Sequence, residues 1–184
     1  MDIKELGTKR TVPNVWLGRI EKDDMKDIYR WFSDREFLEY YDYVPPVPMR
    51  AEEVDKIFAD YEKSEESDVF SIKLVENNQV IGIAGYDDIV KENKVATLFI
   101  GIGSKDIRGK GYGKEALELL LEYGFNDLDF HRVQLNVLEF NYPAISLYEK
   151  AGFKKEGTFR EFVLRDGKRY DLYLYGLLKK EWQA

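Results

Sequence analysis

One stretch constrains the fold more than any other, the run FIGIGSKDIRGKGYGKEA from Phe99 to Ala116. An apolar segment typical of a buried strand is followed by a turn with glycine at positions 109, 111 and 113, and an amphipathic segment begins at once. This order predicts a strand, a glycine-rich turn and a helix start. The first N–H groups of a helix lack internal partners, and the helix dipole places about half a positive charge there. The sequence therefore predicts an anion site, and phosphate is the obvious ligand.

The glycine spacing narrows the type of phosphate site. A Walker loop needs Ser or Thr after Gly-Lys, whereas Glu115 follows Gly113-Lys114. The dinucleotide fingerprint G-x-G-x-x-G is also absent, since this turn reads G-x-G-x-G. Glycine permits positive φ, so that successive N–H groups can converge on a bulky diphosphate. Four cations add positive charge to the turn: Lys105, Arg108, Lys110 and Lys114.

Composition sets broad bounds on the class of protein. The 184 residues fit one domain, which we predict to span 1–184. The net charge of −7 argues against nucleic acid as a partner and mildly favours a cationic one. Without cysteine there is no thiol nucleophile or thiolate metal site, and the single histidine, His131, has no partner for a metal. We therefore expect no metal site.

The sequence also bears on location. The first ten residues are too charged for a signal peptide, and no apolar run approaches the ~20 residues of a membrane span. We expect a cytoplasmic protein with no membrane partner.

The remaining patterns predict an α+β fold with a mixed sheet of about seven strands and about four helices. Three strand-like runs before the glycine turn predict an antiparallel meander. A helix separates the third run from the next strand, so these two strands should be parallel neighbours. The predicted strands are 15–20, 69–75, 78–86, 94–102, 132–137, about 153–159 and 170–178, with helices after 23–24, at 51–61, after the glycine turn and after Asn141, and a hairpin turn at Asp166-Gly167.

The segment from Asp34 to Arg50 has an unusual composition, because aromatic and acidic residues alternate before three prolines. It is predicted to be a loop, and two interpretations stay open. One is a lid that contacts an amine through cation–π and ionic interactions, with Glu36, Glu39 and Tyr40 as binding residues. The other is a proline-stiffened connection whose aromatic residues cover the core.

Two motifs together resemble the GCN5-related N-acetyltransferases, the GNAT superfamily. The glycine turn has that family's form Arg-x-x-Gly-x-Gly from Arg108 to Gly113. The run NYPAISLYEKAGF from Asn141 to Phe153 is similar to the family signature N-x-x-A-x-x-(L/F)-Y-x-K-x-G-F. Asn141 and Tyr148 are seven residues apart, two helical turns, so they share one face. The resemblance covers nearly the whole chain and implies the GNAT fold, with a β-α-β core that binds acetyl-CoA.

The resemblance also implies direct transfer of acetyl from acetyl-CoA to a primary amine. Tyr148 is then the general acid for the departing thiolate, and Asn141 contacts the pantetheine arm. The diphosphate is held by the loop. The amides of Gly101, Ile102 and Gly103 stabilise the oxyanion where the strand before the loop separates from its parallel neighbour, and glycines there would permit a bulge. The implied cofactor-binding residues are Gly101, Ile102, Gly103, Arg108, Gly109, Lys110, Gly111, Tyr112, Gly113, Lys114 and Asn141.

The general base is not assigned by this resemblance. An alkylammonium with a pKa of ~10 must lose a proton before attack. Related enzymes often carry a glutamate on the strand before the loop, but this strand offers only Thr97 or Leu98. Substitutes acting through ordered water are Asp87, Asp88, Glu36 and Glu39, and Asp87 is also a predicted substrate-binding residue.

The C-terminal region, with Glu156-Gly157 and the run from Asp166 to Asp171, is most similar to the RimJ/RimL-like and spermidine N-acetyltransferase branches. A polyamine such as spermidine is the leading acceptor, and a protein N-terminal amine is next. The acidic pair usual in the polyamine branch is replaced around Val44-Pro45-Pro46. The alternative from a different class is a non-catalytic acyl-CoA sensor or interaction module, and the missing strand carboxylate is its only support. A free edge strand and the aromatic segment are compatible with a homodimer.

Overall fold

The computed structural model describes residues 13–103 and 105–182, so the charged first ten residues lie outside the described part. Within it, seven strands form one mixed sheet in the order β1-β2-β3-β4-β5-β7-β6. The strands are β1 Val15–Arg19, β2 Asp68–Leu74, β3 Val80–Val90, β4 Val95–Ile102, β5 Arg132–Leu138, β6 Lys154–Arg165 and β7 Lys168–Leu178. The predicted seven-stranded mixed sheet is confirmed.

Strand pairing follows the predicted connections. Strands β1 to β4 pair antiparallel in sequence, which confirms the meander. Strand β5 lies parallel to β4, as the β-α-β connection requires. The sheet ends with β7 and then β6, both antiparallel to their neighbours. The turn between them, Asp166-Gly167, has φ of 46° and 79°, in agreement with the predicted hairpin turn.

The described residues form more helices than the predicted four. The helices are α1 Met25–Phe32, α2 Arg35–Tyr41, α3 Ala51–Lys63, α4 Tyr112–Glu122, α5 Tyr142–Lys150 and α6 Lys179–Trp182. Helix α2 occupies part of the segment predicted to be a loop, so that prediction is wrong for its first half. The Asp34 side chain caps this helix by accepting from the Glu36 amide at 2.9 Å, and Phe37 and Leu38 are buried.

The sheet separates two apolar layers. Helices α4 and α5 cover one face, where Leu98, Leu117 and Tyr148 share a core. Helices α1 to α3 cover the other face. Side chains alternate between these faces along β4, so Phe99 stacks on Tyr61 of α3 with ring centroids 6.1 Å apart.

The glycines at the end of β4 have a structural role that differs from the predicted one. Strand β4 pairs with β3 in continuous register from Thr97 to Ile102, so the expected bulge is absent there. A Cβ added to Gly103 would lie 1.9 Å from the Trp31 ring, and one added to Gly101 would lie 2.8 Å from the Tyr41 ring. Both glycines therefore make room for aromatic side chains of α1 and α2.

Candidate active site

The glycine turn presents unpaired backbone N–H groups. Gly109 and Gly111 have φ of 77° and 91°, and Gly111 is the N-cap of α4. The Arg108 amide donates to the Lys105 carbonyl at 3.1 Å, but the next five amides, 109 to 113, donate to no acceptor among the described residues. A Cβ added to Gly109 or Gly111 would meet nothing within 4 Å, so the space above the turn is open. Left-handed residues before a helix N-terminus make this a concave anion site.

The four cations of the turn do not behave alike. The Arg108 guanidinium turns back and donates to the carbonyls of Ile102 and Gly103 at 3.1 and 3.2 Å. It therefore closes the turn against β4. Lys105 is paired with Glu36, whereas Lys114 lies 3.5 Å from Glu118.

Lys110 is the remaining cation of the turn. It is exposed, and no ion pair involves it within ranges 13–103 and 105–182. Its ammonium group is therefore free to meet an anion at the turn.

A gap opens in the sheet beside this turn. Strands β4 and β5 are paired only from Val95 opposite Arg132 to Thr97 opposite Gln134. Beyond this point β4 continues to Ile102 and β5 to Leu138 without pairing to each other. Apart from the Ile102 carbonyl, which accepts from Arg108, the backbone groups of this unpaired part can bind a chain inserted between the strands.

The direction of the β4 amides decides which of them face the gap. The Gly103 amide donates to the Ile81 carbonyl of β3 at 2.9 Å. Because backbone groups alternate sides along a strand, Gly101 also faces β3, while Leu98, Ile100 and Ile102 face β5. Of the three predicted oxyanion residues, only Ile102 is directed into the gap. The prediction for Gly101 and Gly103 is wrong in this respect, and the alternation identifies Ile100 instead, since the Leu98 amide belongs to the last pair formed with β5.

Tyr148 lies beside the gap on α5. Its side chain is 6% exposed, packs against Phe153 with ring centroids 5.8 Å apart, and lines the cleft described below. Burial raises the pKa of Tyr148 well above its ordinary value, so the hydroxyl stays protonated. No hydrogen bond to this hydroxyl is formed within the part of the chain that the structure describes. It is thus a neutral donor that has no hydrogen-bond partner among the described residues.

Asn141 both caps α5 and borders the cleft. Its Oδ1 accepts from the Ala144 amide at 3.3 Å, as predicted for an N-cap, and its Nδ2 donates to the Tyr40 carbonyl at 3.1 Å. The side chain therefore joins the start of α5 to the last turn of α2. Tyr40 is exposed and lines the same cleft.

A cleft of about 240 Å³ continues from the gap towards α2 and α3. Three carboxylic residues line it, Asp42, Asp87 and Asp88, together with four tyrosines of α2, the following loop and α3. The tyrosines are Tyr40, Tyr41, Tyr43 and Tyr61. Both Leu98 and Tyr148 of the opposite layer also line it, so the cleft passes through the sheet. Its acidic and aromatic lining suits an ammonium group.

Two predicted substrate-binding residues lie elsewhere. Glu36 pairs with Lys105 and lies 3.9 Å from an Arg108 nitrogen, next to the glycine turn. Glu39 lies 3.4 Å from the guanidinium of Arg165, which is buried on β6. Neither glutamate lines the cleft, whereas Tyr40 and Asp87 do.

Arg165 was missed by the sequence interpretation and fixes the loop after α2. Its Nη2 donates to the carbonyls of Asp42 and Val44, both at 2.9 Å. These contacts span more than 120 residues of sequence, so local patterns carry no signal for them. They hold Asp42 and Tyr43 at the rim of the cleft.

Titratable groups in the cleft influence one another. Burial raises the pKa of Asp87, and the charges of Asp88 and Glu66 raise it further, against hydrogen bonds from the Asp88 amide and Tyr61. Burial together with the nearby carboxylates raises the pKa of Tyr61 to about 12. The pKa of Tyr41 is also raised, by burial first and then by groups that include Asp87 and Tyr148. Tyr41 therefore lies within electrostatic range of both ends of the cleft.

Comparisons with known proteins agree with this geometry. The family model described as "Acetyltransferase (GNAT) domain" matches residues 14–154. The uncharacterized N-acetyltransferase p20 of Bacillus licheniformis is 30% identical over 167 residues, which cover 90% of this chain and 93% of that protein. The chain therefore belongs to the GNAT acetyltransferase family and is an N-acetyltransferase.

Two further relatives name particular acceptors. The [ribosomal protein uS5]-alanine N-acetyltransferase of Escherichia coli (strain K12) is 31% identical over 108 residues, 58% of this chain and 55% of that one. The structure of spermidine N-acetyltransferase from Vibrio cholerae in complex with CoA and spermine superimposes with a TM-score of 0.85, 22% identity and coverage of 93% and 99%. At this identity the structural likeness shows the fold. Each of these relatives is called an N-acetyltransferase, so the non-catalytic alternative gains no support.

No helix within the described ranges is both long and apolar enough to cross a membrane.

Proposed function

We propose that this protein transfers an acetyl group from acetyl-CoA directly to a cationic primary amine, with a polyamine such as spermidine as the leading acceptor and a protein N-terminal amine next. One observation carries the proposal. The gap between β4 and β5 has the unpaired amides 109 to 113, which we call the cradle, on one side and the acidic, aromatic cleft on the other. The homodimer and the cytoplasmic location expected from the sequence remain predictions.

The cradle fits the diphosphate of coenzyme A. Five consecutive amides, 109 to 113, have no acceptor in the described residues, and a Cβ added to either left-handed glycine of the turn would meet none of their atoms within 4 Å. Lys110 supplies a mobile cation at the same place. Acetyl-CoA supplies the acetyl group as a thioester, and the amides of Ile100 and Ile102, which face the unpaired part of the gap, bind and orient the pantetheine chain that enters it.

The cleft fits the acceptor. Three carboxylic residues attract an ammonium group, and the faces of Tyr40 and Tyr43, both more than 40% exposed, offer cation–π contacts. The V. cholerae structural neighbour is a spermidine N-acetyltransferase, which supports a polyamine. The E. coli relative acts on an alanine of a ribosomal protein, which supports an N-terminal amine. Because three carboxylic residues line one cleft, they attract a polyamine, which carries more than one positive charge, more strongly than a single N-terminal amine.

The test is release of free thiol from acetyl-CoA in the presence of single amines. We expect release that rises and saturates with spermidine, and weaker release with a monoamine of similar length. A peptide beginning with alanine tests the second acceptor. Release only with the peptide would reject the polyamine, and tight acetyl-CoA binding without release for any amine would reject the enzyme.

A further inference from the structure

Transfer to an amine requires a group that removes a proton, and the structure narrows the choice to one carboxylate. An alkylammonium ion has a pKa of about 10, so at neutral pH nearly all of the acceptor lacks the lone pair that attacks. The carboxylic residues that line the cleft are Asp42, Asp87 and Asp88. This inference rests on the proposed acetyl transfer to an amine.

Asp87 is placed at the mouth of the gap by the register of the sheet. Its partner across the β3–β4 ladder is Thr97, and Thr97 is also the last β4 residue paired with β5. Residues directly opposite each other in an antiparallel pair share a face, with Cβ atoms about 4.5–5.5 Å apart. The Asp87 carboxyl therefore lies beside the point where the two strands separate. Strand β3 thus supplies the carboxyl that the opposite β4 position lacks.

The other two carboxylates have different positions. Asp42 accepts from the Tyr43 amide at 2.6 Å and belongs to the loop held by Arg165, at the rim of the cleft. Asp88 is exposed and has a φ of 49°, at the irregular end of the β3–β4 ladder. Both suit attraction of a cation, whereas Asp87 is half-buried next to the gap.

The surroundings of Asp87 are those of a proton acceptor. Its Oδ1 accepts from the Asp88 amide at 3.0 Å, which fixes the carboxyl group. Burial and the neighbouring negative charges raise the pKa of Asp87. The pKa of this carboxyl is therefore closer to that of the ammonium ion, which makes the carboxylate a better proton acceptor. The charge of Asp87 raises the pKa of both Tyr61 and Tyr41, and these two tyrosines line the same cleft as Asp87 and Tyr148.

We propose that Asp87 is the general base of the acetyl transfer, acting from β3 on the ammonium ion in the cleft. The carboxylate takes one proton from R–NH₃⁺ and becomes the neutral acid, and this proton passes to solvent through the exposed end of the cleft. The freed nitrogen lone pair forms the C–N bond as the C–S bond breaks. The sulfur receives a proton from Tyr148, and the second proton lost by the nitrogen restores that hydroxyl. The net reaction releases one proton.

The test is the Asp87→Asn variant, which keeps the shape of the side chain. We expect kcat to fall by about 10²-fold, the magnitude of lost general-base catalysis, while coenzyme A affinity stays unchanged. The rising limb of the pH profile should also shift, since the group that titrates has been removed. Glu66→Gln is the matched control, because Glu66 affects Asp87 only through its charge and does not line the cleft; its kcat should stay within about twofold of the wild type.

A second variant moves the carboxylate back across the ladder. In the Asp87→Asn background, Thr97→Glu places a carboxylate on the same face of the sheet one strand away. We expect the kcat of this double variant to be about tenfold higher than that of Asp87→Asn alone. A rise in the amine KM with unchanged kcat and pH profile would overturn the proposal, and so would a double variant no more active than Asp87→Asn. Failure of the wild type with every amine would instead reject the proposed function.

Discussion

Tyr148 has the properties that a donor to a departing thiolate needs. Its ring is held in the core by Phe153, while its hydroxyl lines the cleft without a hydrogen-bond partner among the described residues. Burial raises the pKa of this hydroxyl, so it remains protonated from below pH 7 to well above it. A thiol has an ordinary pKa of about 8.5, so the departing sulfur carries negative charge at neutral pH. The neutral Tyr148 hydroxyl can donate a hydrogen bond to this charge and stabilise it.

The Tyr148→Phe variant is expected to lower kcat by about 10²-fold and to leave coenzyme A affinity nearly unchanged, because the ring is kept and only the donor is lost. Steady-state kinetics combined with calorimetric titration of coenzyme A measure the two effects. Tyr142→Phe is the control, since Tyr142 is on the same helix but is 73% exposed and does not line the cleft. An equal loss of turnover and affinity would argue against the donor role.

The elements that form the site depend on glycines in two different ways. At the end of β4, Gly103 allows α1 to approach the sheet, because any side chain would overlap the Trp31 ring. In the turn before α4, Gly109 permits a left-handed backbone under open space. One glycine thus serves packing and the other serves the shape of the cradle.

Alanine at these two positions should separate stability from binding. Gly103→Ala forces the Trp31 side chain to move, and overpacking of this kind costs about 1–3 kcal/mol, several degrees in Tm for a chain of this size. Gly109→Ala adds a methyl group that meets no described atom within 4 Å. The backbone at this position has a φ of 77°, which costs alanine about 1–2 kcal/mol. We expect the turn to change shape to avoid this cost.

Thermal unfolding and coenzyme A titration compare the pair. We expect Gly103→Ala to show the larger fall in Tm, and Gly109→Ala to lose about tenfold in coenzyme A affinity. If Gly109→Ala bound coenzyme A as well as the wild type, the shape of the turn would not matter for binding.

At the scale of the molecule, the sequence was sufficient for the succession of strands and helices along the chain, the meander, the parallel pair after it and the place of the glycine turn, but not for the position of β7 between β5 and β6. The predicted features follow from local patterns: a strand, three glycines and an amphipathic helix are adjacent in the chain. Helix α2 was missed because it has seven residues and is stabilised by burial of Phe37 and Leu38, while the nearby prolines favoured a loop.

The details of the site depended on contacts between distant residues. Glu36 and Glu39 were predicted to meet substrate, but their partners Lys105 and Arg165 lie far along the chain. Period-2 alternation assigns residues to faces, yet it does not say which neighbour each amide meets, so Gly103 was assigned to the gap although it bonds to Ile81. The register that sets Asp87 opposite Thr97 is likewise a property of the assembled sheet.

The account depends most on the claim that the amides from Gly109 to Gly113 bind the diphosphate of coenzyme A. The most direct measurement is a pair of amide NMR spectra of ¹⁵N-labelled protein, without and with saturating coenzyme A. We predict large shifts of these five amide resonances, which become hydrogen-bonded to the ligand, and far smaller changes at the distant β2–β3 turn around Asn78. Binding of coenzyme A with these five resonances unmoved would contradict the account.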